Sequence, residues 1–200
     1  MAATGAFPTT AIDHHPDLAL VAPAASHSIE YRALLDSDAG TFQTLDAMKD
    51  AVLGLVGPDY SGYTDPFNIS AANQICAHAS GQTQRAQVAA LFNWVIANIT
   101  YTPHPLNQQT VQDARRTIEL RSGDCVSLSV LLATLLACLG YQSRLVAQWL
   151  DDQEASHVYL EVFMPDGEII ALDPVASDKP MGWRQPKLDG GFECAWEIFD

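Results

Sequence analysis

Positive charge is scarce in this sequence. Only 10 lysine and arginine residues stand against 24 aspartate and glutamate residues, which gives a formal charge of −14. Nucleic-acid binding draws its affinity from clustered cations that release counterions, so this balance argues against a nucleic-acid partner. Long apolar runs are missing too. No stretch reaches the roughly 18 consecutive apolar residues that a bilayer-spanning helix requires, and we expect no membrane span.

Cysteine is also sparse. The four cysteines, Cys76, Cys125, Cys138 and Cys194, form no C-x-x-C pair and have no histidine at metal-ligand spacing. The sequence therefore predicts neither a disulfide framework nor a structural metal site, and nothing in it indicates a cofactor. The first basic residue is Arg32, so the start of the chain lacks the positive segment of a secretory signal peptide.

Apolar residues, in contrast, are plentiful. Hydrophobic residues make up 48% of the 200 positions and charged residues 17%, which predicts one globular domain with a sizeable core. We divide the chain into an N-terminal arm over 1–28, a helical N-terminal part of the same domain over 29–83, a core over 84–183 and a C-terminal tail over 184–200.

Helical periodicity marks four segments. Apolar residues recur at helical spacing over 44–56 and 84–98, and more weakly over 68–79. The most regular pattern runs over 126–139, where leucines follow one another at helical steps before Gly140. Because glycine readily adopts the left-handed conformation that ends a helix, this last pattern predicts a buried helix that stops at Gly140.

Strand patterns follow the leucine helix. Three segments, 142–150, 157–163 and 168–172, are separated by an acidic loop and by a Pro-Asp-Gly turn. They predict an antiparallel sheet, whereas the chain after Pro174 is predicted to be mostly irregular. The fold class is therefore α+β, with a helix packed on an antiparallel β-sheet and further helices before it.

A cysteine stands at the start of the leucine helix. Ser122, Gly123 and Asp124 directly precede Cys125, and the unpaired N–H groups and the dipole at a helix start favour a thiolate and can hold an oxyanion. We expect Gly123 to allow a tight turn and a close approach of substrate to the backbone. The alternative is that Cys125 is simply a small buried residue, as most free cysteines are.

A histidine and an aspartate lie on the predicted strands that follow. On the first of these strands Val158, Leu160 and Val162 share one face, which leaves His157 on the other. Asp173 closes the next strand. The alternatives are that His157 is a surface residue of its strand and that Asp173 only caps the following turn.

The length of the turn decides whether His157 and Asp173 share a face. A three-residue turn over 165–167 pairs Met164 with Glu168, so paired residue numbers sum to 332 and His157 lies diagonally across from Asp173. A five-residue loop gives a sum of 330 and sets the two directly opposite. A two-residue turn would separate them, but it would require proline at a positive φ angle.

Cysteine, histidine and aspartate are the groups that thiol catalysis uses. An imidazole takes the proton of the thiol, and a carboxylate fixes the tautomer and the orientation of the imidazole. The sequence therefore predicts that Cys125 is a nucleophile, that His157 is its general base and that Asp173 orients the base.

These motifs resemble those of the transglutaminase-like superfamily of papain-type cysteine enzymes. The resemblance rests on residues 122–125 with the helix that follows, on His-Val-Tyr-Leu-Glu-Val over 157–162, on Leu-Asp-Pro over 172–174 and on the helix end over 93–101. It covers roughly residues 84–183. It implies a papain-like core in which the nucleophile helix packs on the sheet.

The resemblance implies roles for single residues as well. The catalytic triad of the family maps onto Cys125, His157 and Asp173. The residue that stabilises the oxyanion beside the Cys125 N–H is expected among four upstream residues: Tyr101, Asn107, Gln108 and Gln109. Two positions depart from many relatives, since Val126 replaces an acidic residue after the cysteine and Tyr159 replaces a tryptophan two residues after the histidine. The substrate is therefore not carried over from the family.

The chain is also similar to small members of the family that phages and prophages encode. It shares with them a Thr-Leu-x-x-Met segment over 44–48 and Met-Gly-Trp over 181–183. This similarity implies a location in a virion, a phage tail or the bacterial cytoplasm. The net charge is −7 over 1–80, +2 over 81–150 and −9 over 151–200. We therefore expect other phage structural proteins to bind the N-terminal arm and the two acidic ends.

Three functions fit these expectations. The first is a cysteine peptidase or amidase that acts on a peptide, protein or amide substrate through a thioester on Cys125, as a virion or tail-associated protein. The second is a catalytically silent structural or adaptor protein of a phage tail or virion that keeps the fold. The third is an effector that transamidates glutamine side chains.

Overall fold

The computed structural model describes six segments of the chain, residues 28–31, 49–57, 62–103, 109–149, 156–187 and 193–198. Almost all of the predicted N-terminal arm and the first residues of the predicted helix over 44–56 lie outside them. Residues 49–56 are helical (α1), and four more helices follow: Pro66–Ala77 (α2), Gln84–Asn98 (α3), Ala114–Leu120 (α4) and Cys125–Cys138 (α5). None of the described helices is long and apolar enough to cross a bilayer.

The helices that the sequence predicted are present, and α4 is an addition to them. α2 begins earlier than predicted because Asp65 accepts a hydrogen bond from the Phe67 N–H (2.8 Å) and Pro66 stands at the first helical position, where its missing N–H has no partner to lose. At the end of α5, Gly140 has a φ angle of +82°. The predicted stop of the leucine helix at this glycine is therefore confirmed.

Two small sheets lie beside the helices. Ser28–Tyr31 (β1) pairs antiparallel with Gln109–Gln112 (β3). Thr100–Tyr101 (β2) pairs parallel with Ser122–Gly123 (β4). The β2 and β4 pair is short, but it lies directly before Cys125 and joins the end of α3 to the start of α5.

The main sheet contains Ser143–Trp149 (β5), Ser156–Phe163 (β6), Ile169–Leu172 (β7) and Glu193–Glu197 (β8). Its order is β7-β6-β5-β8, and all neighbouring strands are antiparallel. The predicted meander is thus confirmed over β5, β6 and β7. Residues 175–187 contain no helix or strand, in agreement with the prediction of a mostly irregular chain after Pro174, whereas β8 was not predicted and extends the sheet by pairing with β5.

α5 lies at the centre of the core. Its side chains from Val126 to Leu136 are all buried, and it packs against the sheet on the face that carries Val158, Leu160 and Val162. A helix that is apolar on every side is covered on every side. The fold is α+β, with the cysteine-bearing helix packed on an antiparallel sheet as predicted.

The opposite face of the sheet is buried as well. Tyr159 is fully buried there beside Ala171. The segment that follows β7 closes this face, because the Gly182 N–H donates to the carbonyl oxygen of Ala171 (2.8 Å) and Arg184 forms an ion pair with the buried Glu161 (2.6 Å). The face of β6 that carries His157 is therefore part of the interior.

Candidate active site

A capped turn places Cys125 at the start of α5. Asp124 precedes the helix in an extended conformation, and its carboxylate accepts a hydrogen bond from the Ser127 N–H (2.8 Å). Such a cap satisfies an N–H group that the helix itself leaves unpaired. Cys125 is the first residue of α5, where the sequence predicted it, and it is partly buried.

Gly123 is needed for packing rather than for a tight turn. A methyl group on its Cα would lie 2.9 Å from the Cβ of Ser127 and 3.4 Å from Cγ2 of Thr117. Its φ angle lies outside the left-handed region, so the expectation of a tight turn was wrong. The missing side chain instead lets β4 pass close to the first turn of α5.

The Cys125 thiol keeps its proton. Burial, and after it the negative charge of Asp124, raise the pKa of Cys125 from 9.0 to about 12. The backbone N–H groups of Cys125, Val126 and Val158 act in the opposite direction. The N–H groups at the helix start thus favour the thiolate as expected, but desolvation of the sulfur outweighs them.

His157 and Asp173 are joined by a hydrogen bond. Nε2 of His157 lies 2.7 Å from Oδ2 of Asp173, and the two side chains are 12% and 3% exposed. The other carboxylate oxygen accepts from the N–H groups of Val175 (3.1 Å) and Ala176 (3.3 Å). Asp173 thus caps the turn after β7 and also holds Nε2, which leaves Nδ1 as the ring nitrogen that can exchange a proton.

The hairpin between β6 and β7 has one of the two registers that the sequence left open. Paired residues of the two strands have numbers that sum to 332. Gly167 has a φ angle of +88°, and the Met164 N–H donates to the carbonyl oxygen of Glu168 (2.8 Å). The three-residue turn is confirmed, and it sets His157 and Asp173 on one face.

Cys125 lies beside the start of β6. The Val158 N–H is close enough to the sulfur to lower its pKa, and Val158 directly follows His157. Among the described residues, the His157 ring is hydrogen-bonded to Asp173, and no hydrogen bond joins it to Cys125. The structure therefore brings the three predicted residues to the same end of β6 and directly connects two of them.

Tyr101 is the oxyanion candidate that lies close to Cys125. β2 runs parallel to β4 with Tyr101 opposite Gly123, and Tyr101 is 44% exposed. Partial desolvation raises the pKa of Tyr101, and negative charge on Cys125 and on Asp124 raises it too. The phenol is therefore within electrostatic reach of the sulfur and open to solvent.

The other three oxyanion candidates are not placed. Asn107 and Gln108 lie outside the described residues, and Gln109 contributes backbone to β3 without a described side chain.

Sequence reasoning missed the capping role of Asp124, although an aspartate before an apolar run is a helix-start signal. It also missed Gln148, which pairs with the site histidine across β5 and β6, because no turn signal fixed that register. In the part of the chain that the structure describes, no group of three or more histidine, cysteine, aspartate or glutamate side chains could hold a metal ion.

Comparison with protein families decides the assignment of this fold. Residues 69–174, more than half of the chain, match the family model of the transglutaminase-like superfamily. The chain belongs to the transglutaminase-like superfamily. The matched range contains Cys125, His157 and Asp173. A comparison with curated proteins gave no match.

Solved structures that resemble this transglutaminase-like chain are distant. A proposed cysteine protease from Cytophaga hutchinsonii is 20% identical with a TM-score of 0.47, over 63% of this chain and 42% of that one. A proposed protease from Parabacteroides distasonis is 15% identical with a TM-score of 0.47, over 66% of this chain and 26% of that one. EGTA-treated LapG from Legionella pneumophila is 16% identical with a TM-score of 0.43, over 64% and 72%. This chain thus spans less than half the length of the first two proteins.

Proposed function

We propose that this transglutaminase-like protein is a cysteine peptidase or amidase that cleaves a peptide or amide bond through a thioester on Cys125. The observation that carries the proposal is the hydrogen bond from Nε2 of His157 to Asp173 (2.7 Å) beside the start of α5. A histidine held in this way has a fixed tautomer and orientation, which is what a general base for a thiol requires.

The raised pKa of Cys125 determines how the first step proceeds. Because the thiol keeps its proton at neutral pH, Nδ1 of His157 removes that proton as the sulfur attacks the carbonyl carbon of the substrate. Negative charge then develops on the carbonyl oxygen. The Cys125 N–H at the start of α5 and the hydroxyl group of Tyr101 are the donors proposed to stabilise it.

The second half of the reaction restores the thiol. The carbon–nitrogen bond of the tetrahedral intermediate breaks, and the departing amine takes the proton from His157. Water then attacks the carbonyl carbon of the thioester while His157 accepts a proton from it. The carbon–sulfur bond breaks, the carboxylic acid leaves, and His157 returns the proton to the sulfur. We propose hydrolysis because water is always present as an acyl acceptor. A transamidating effector that acts on glutamine side chains would use the same thioester with an amine in place of water.

A catalytically silent protein that keeps the fold is the second candidate. Two observations favour it, namely the raised pKa of Cys125 and the lack of a hydrogen bond between Cys125 and the ring of His157 among the described residues. In this candidate the protein serves as a structural or adaptor component of a phage tail or virion. The phage origin and the location in a virion, a tail or the bacterial cytoplasm stay predictions in both candidates.

Alkylation of Cys125 by iodoacetamide separates the two candidates. If His157 is the base, we expect the rate at pH 7 to fall about a hundredfold in His157→Gln, as measured by mass spectrometry of the peptide that contains Cys125. Cys138→Ala is the matched control, because it removes the cysteine at the other end of α5 and is expected to leave the rate unchanged. Equal rates for the wild type, His157→Gln and the unfolded chain would reject the enzyme and favour the silent protein.

A further inference from the structure

Three polar residues form a row across the main sheet beside the proposed base. His157 in β6 is directly paired with Gln148 in β5, and Gln148 is directly paired with Glu193 in β8. Directly paired residues of neighbouring strands project from the same face of a sheet. The row therefore connects β8, which the sequence did not predict, to the histidine of the candidate active site.

Gln148 is held at its β8 side. Nε2 of Gln148 donates to Oε2 of Glu193 (2.7 Å) and makes a longer contact with the carbonyl oxygen of Gln185 (3.4 Å). A carboxylate only accepts hydrogen bonds, so the NH₂ group of the amide must face Glu193. Gln148 is 3% exposed, and this contact fixes which way its amide points.

The carbonyl oxygen of this amide is buried without a partner in the described part of the chain. Oε1 of Gln148 has no hydrogen-bond partner among the described residues, although a buried acceptor is nearly always paired. Because the NH₂ group faces Glu193, the oxygen cannot also face it, and the residue directly paired with Gln148 on its other side is His157.

The remaining neighbours of the ring are already fixed. Asp173 binds Nε2 of His157. On the same face, Tyr159 lies with its ring centre 6.1 Å from that of His157 and tilted by 25°, and Tyr159 is fully buried. Gln148 is the residue of β5 directly paired with His157, on the side of β6 opposite β7.

We infer that Gln148 is a positioning residue for His157. Its amide, aligned by Glu193, keeps the imidazole in the position from which it accepts the proton of the Cys125 thiol. The inference rests on the proposed function, because it assigns to Gln148 a part in the same proton transfer. It makes β8 part of the support of the active site, although no residue of β8 belongs to the proposed triad.

The substitution Gln148→Met tests this role in the full-length chain. Methionine has the length of glutamine without its amide. We expect the ¹⁵N and ¹H signals of the His157 ring to shift and the alkylation of Cys125 by iodoacetamide to slow about tenfold, since a small displacement of a catalytic group has a large kinetic effect. Unchanged ring signals together with an unchanged alkylation rate would overturn the inference.

Arg144→Met provides the matched control. Arg144 occupies the equivalent row at the other end of the same three strands, between Glu161 in β6 and Glu197 in β8, and its Nε donates to Glu161 (2.7 Å). This variant loses a polar cross-strand contact of β5 without a change next to His157. We expect it to lower stability but to leave the His157 ring signals in place. Equal shifts in both variants would mean a general loosening of the sheet and would also overturn the inference.

A second variant covers the case in which Gln148→Met does not fold. Glu193→Gln keeps the size of the side chain, but a neutral amide at position 193 can pair with either end of the Gln148 amide, so the orientation of Gln148 is no longer fixed. We expect smaller shifts of the His157 ring signals in the same direction, and their absence would overturn the inference.

The His157 ring signals do not depend on the chemistry of Cys125. If alkylation proves independent of His157, the proposed function fails while the ring signals still decide the position of Gln148.

Discussion

α5 carries a cysteine at each end, and the pKa values of the two thiols are raised for the same two reasons. Burial raises the pKa of both Cys125 and Cys138 to about 12, and a neighbouring carboxylate adds to the effect at each end, Asp124 at the first and Asp65 at the second. Burial and a nearby aspartate therefore do not distinguish a nucleophile from a structural cysteine.

The neighbours of the two sulfur atoms differ in another way. Cys138 donates its S–H to the carbonyl oxygen of Tyr63 (3.4 Å). Cys125 instead lies at the start of β6, next to the residue pair His157 and Asp173. The comparison indicates that a base, and not an acidic thiol, is what would make one end of α5 reactive.

The largest expected effect comes from comparing the loss of charge at an aspartate near each cysteine, Asp173 on the Cys125 side and Asp65 on the Cys138 side. Asp173→Asn keeps an acceptor for the turn but no longer fixes the tautomer of His157. We expect acetylation of Cys125 by p-nitrophenyl acetate to slow about a thousandfold, measured by release of nitrophenol.

Asp65→Asn is the counterpart at the Cys138 end. Asparagine caps a helix about as well as aspartate, so we expect the acetylation rate of Cys125 to stay within twofold of the wild type, a rough margin for a change remote from the reaction. A similar loss in both variants would show that the reaction does not depend on the pair His157 and Asp173.

The next effect concerns the glycines that flank α5. Gly123→Ala places a methyl group 2.9 Å from the Cβ of Ser127, so we expect a loss of about 1–3 kcal/mol in the free energy of unfolding. Gly140→Ala meets no atom within 4 Å, but its φ angle is +82°, and we expect a loss of about 1–2 kcal/mol.

Asparagine substitutions distinguish the close packing at Gly123 from the positive φ angle at Gly140. It tolerates the left-handed conformation, so Gly140→Asn is expected to be more stable than Gly140→Ala, whereas Gly123→Asn is expected to be at least as damaging as Gly123→Ala. Urea unfolding of the four variants measures the difference. Recovery of stability in Gly123→Asn would argue against the packing explanation.

A smaller effect follows from Asp124. Replacement by asparagine preserves the cap at the start of α5 and removes a charge that raises the pKa of Cys125. In a His157→Gln background, where no base assists, we expect alkylation at pH 8 to become several times faster, because each pKa unit changes the thiolate fraction about tenfold. Asp65→Asn is expected to do the same for Cys138. An unchanged rate at either end would contradict the assigned cause.

The last effect is expected to be similar for both ends of α5. Well below pH 9.0 both thiols are protonated in the folded and unfolded chains, whereas between 9.0 and about 12 the unfolded chain loses protons that the folded chain keeps. The free energy of unfolding therefore falls as the pH rises through this range. We expect Cys125→Ala and Cys138→Ala each to make this decline less steep in urea unfolding between pH 8 and pH 11. An identical slope in the wild type and in both variants would mean that neither thiol has a raised pKa.

The sequence predicted the local parts of the site well. Helix periodicity and Gly140 predict the extent of α5, and the turn around 165–167 leaves two registers, both of which put His157 and Asp173 on one face. Each of these depends on residues that are close in the chain. Fold class followed from the same signals, since one buried helix and a meander leave few ways to pack.

The parts that the sequence did not predict depend on pairing between distant segments. β2 and β4 have two residues each, too few for an alternating pattern, so the sequence could not single out Tyr101 from the four oxyanion candidates. β8 pairs with β5 across more than forty positions of sequence. The pKa of Cys125 depends on burial by the whole core, which outweighs the helix-start effect that the sequence reveals.

The turn over 165–167 has a consequence for insertions and deletions. Its three residues are exposed, so most substitutions there should be neutral for folding, with the exception of Gly167 at its φ angle of +88°. A deletion of one residue is different, because it changes the register by one and moves Asp173 to the face opposite His157. The turn therefore tolerates most substitutions but not a change in length. Homologues of this protein are expected to differ in the residues of the turn while keeping their number.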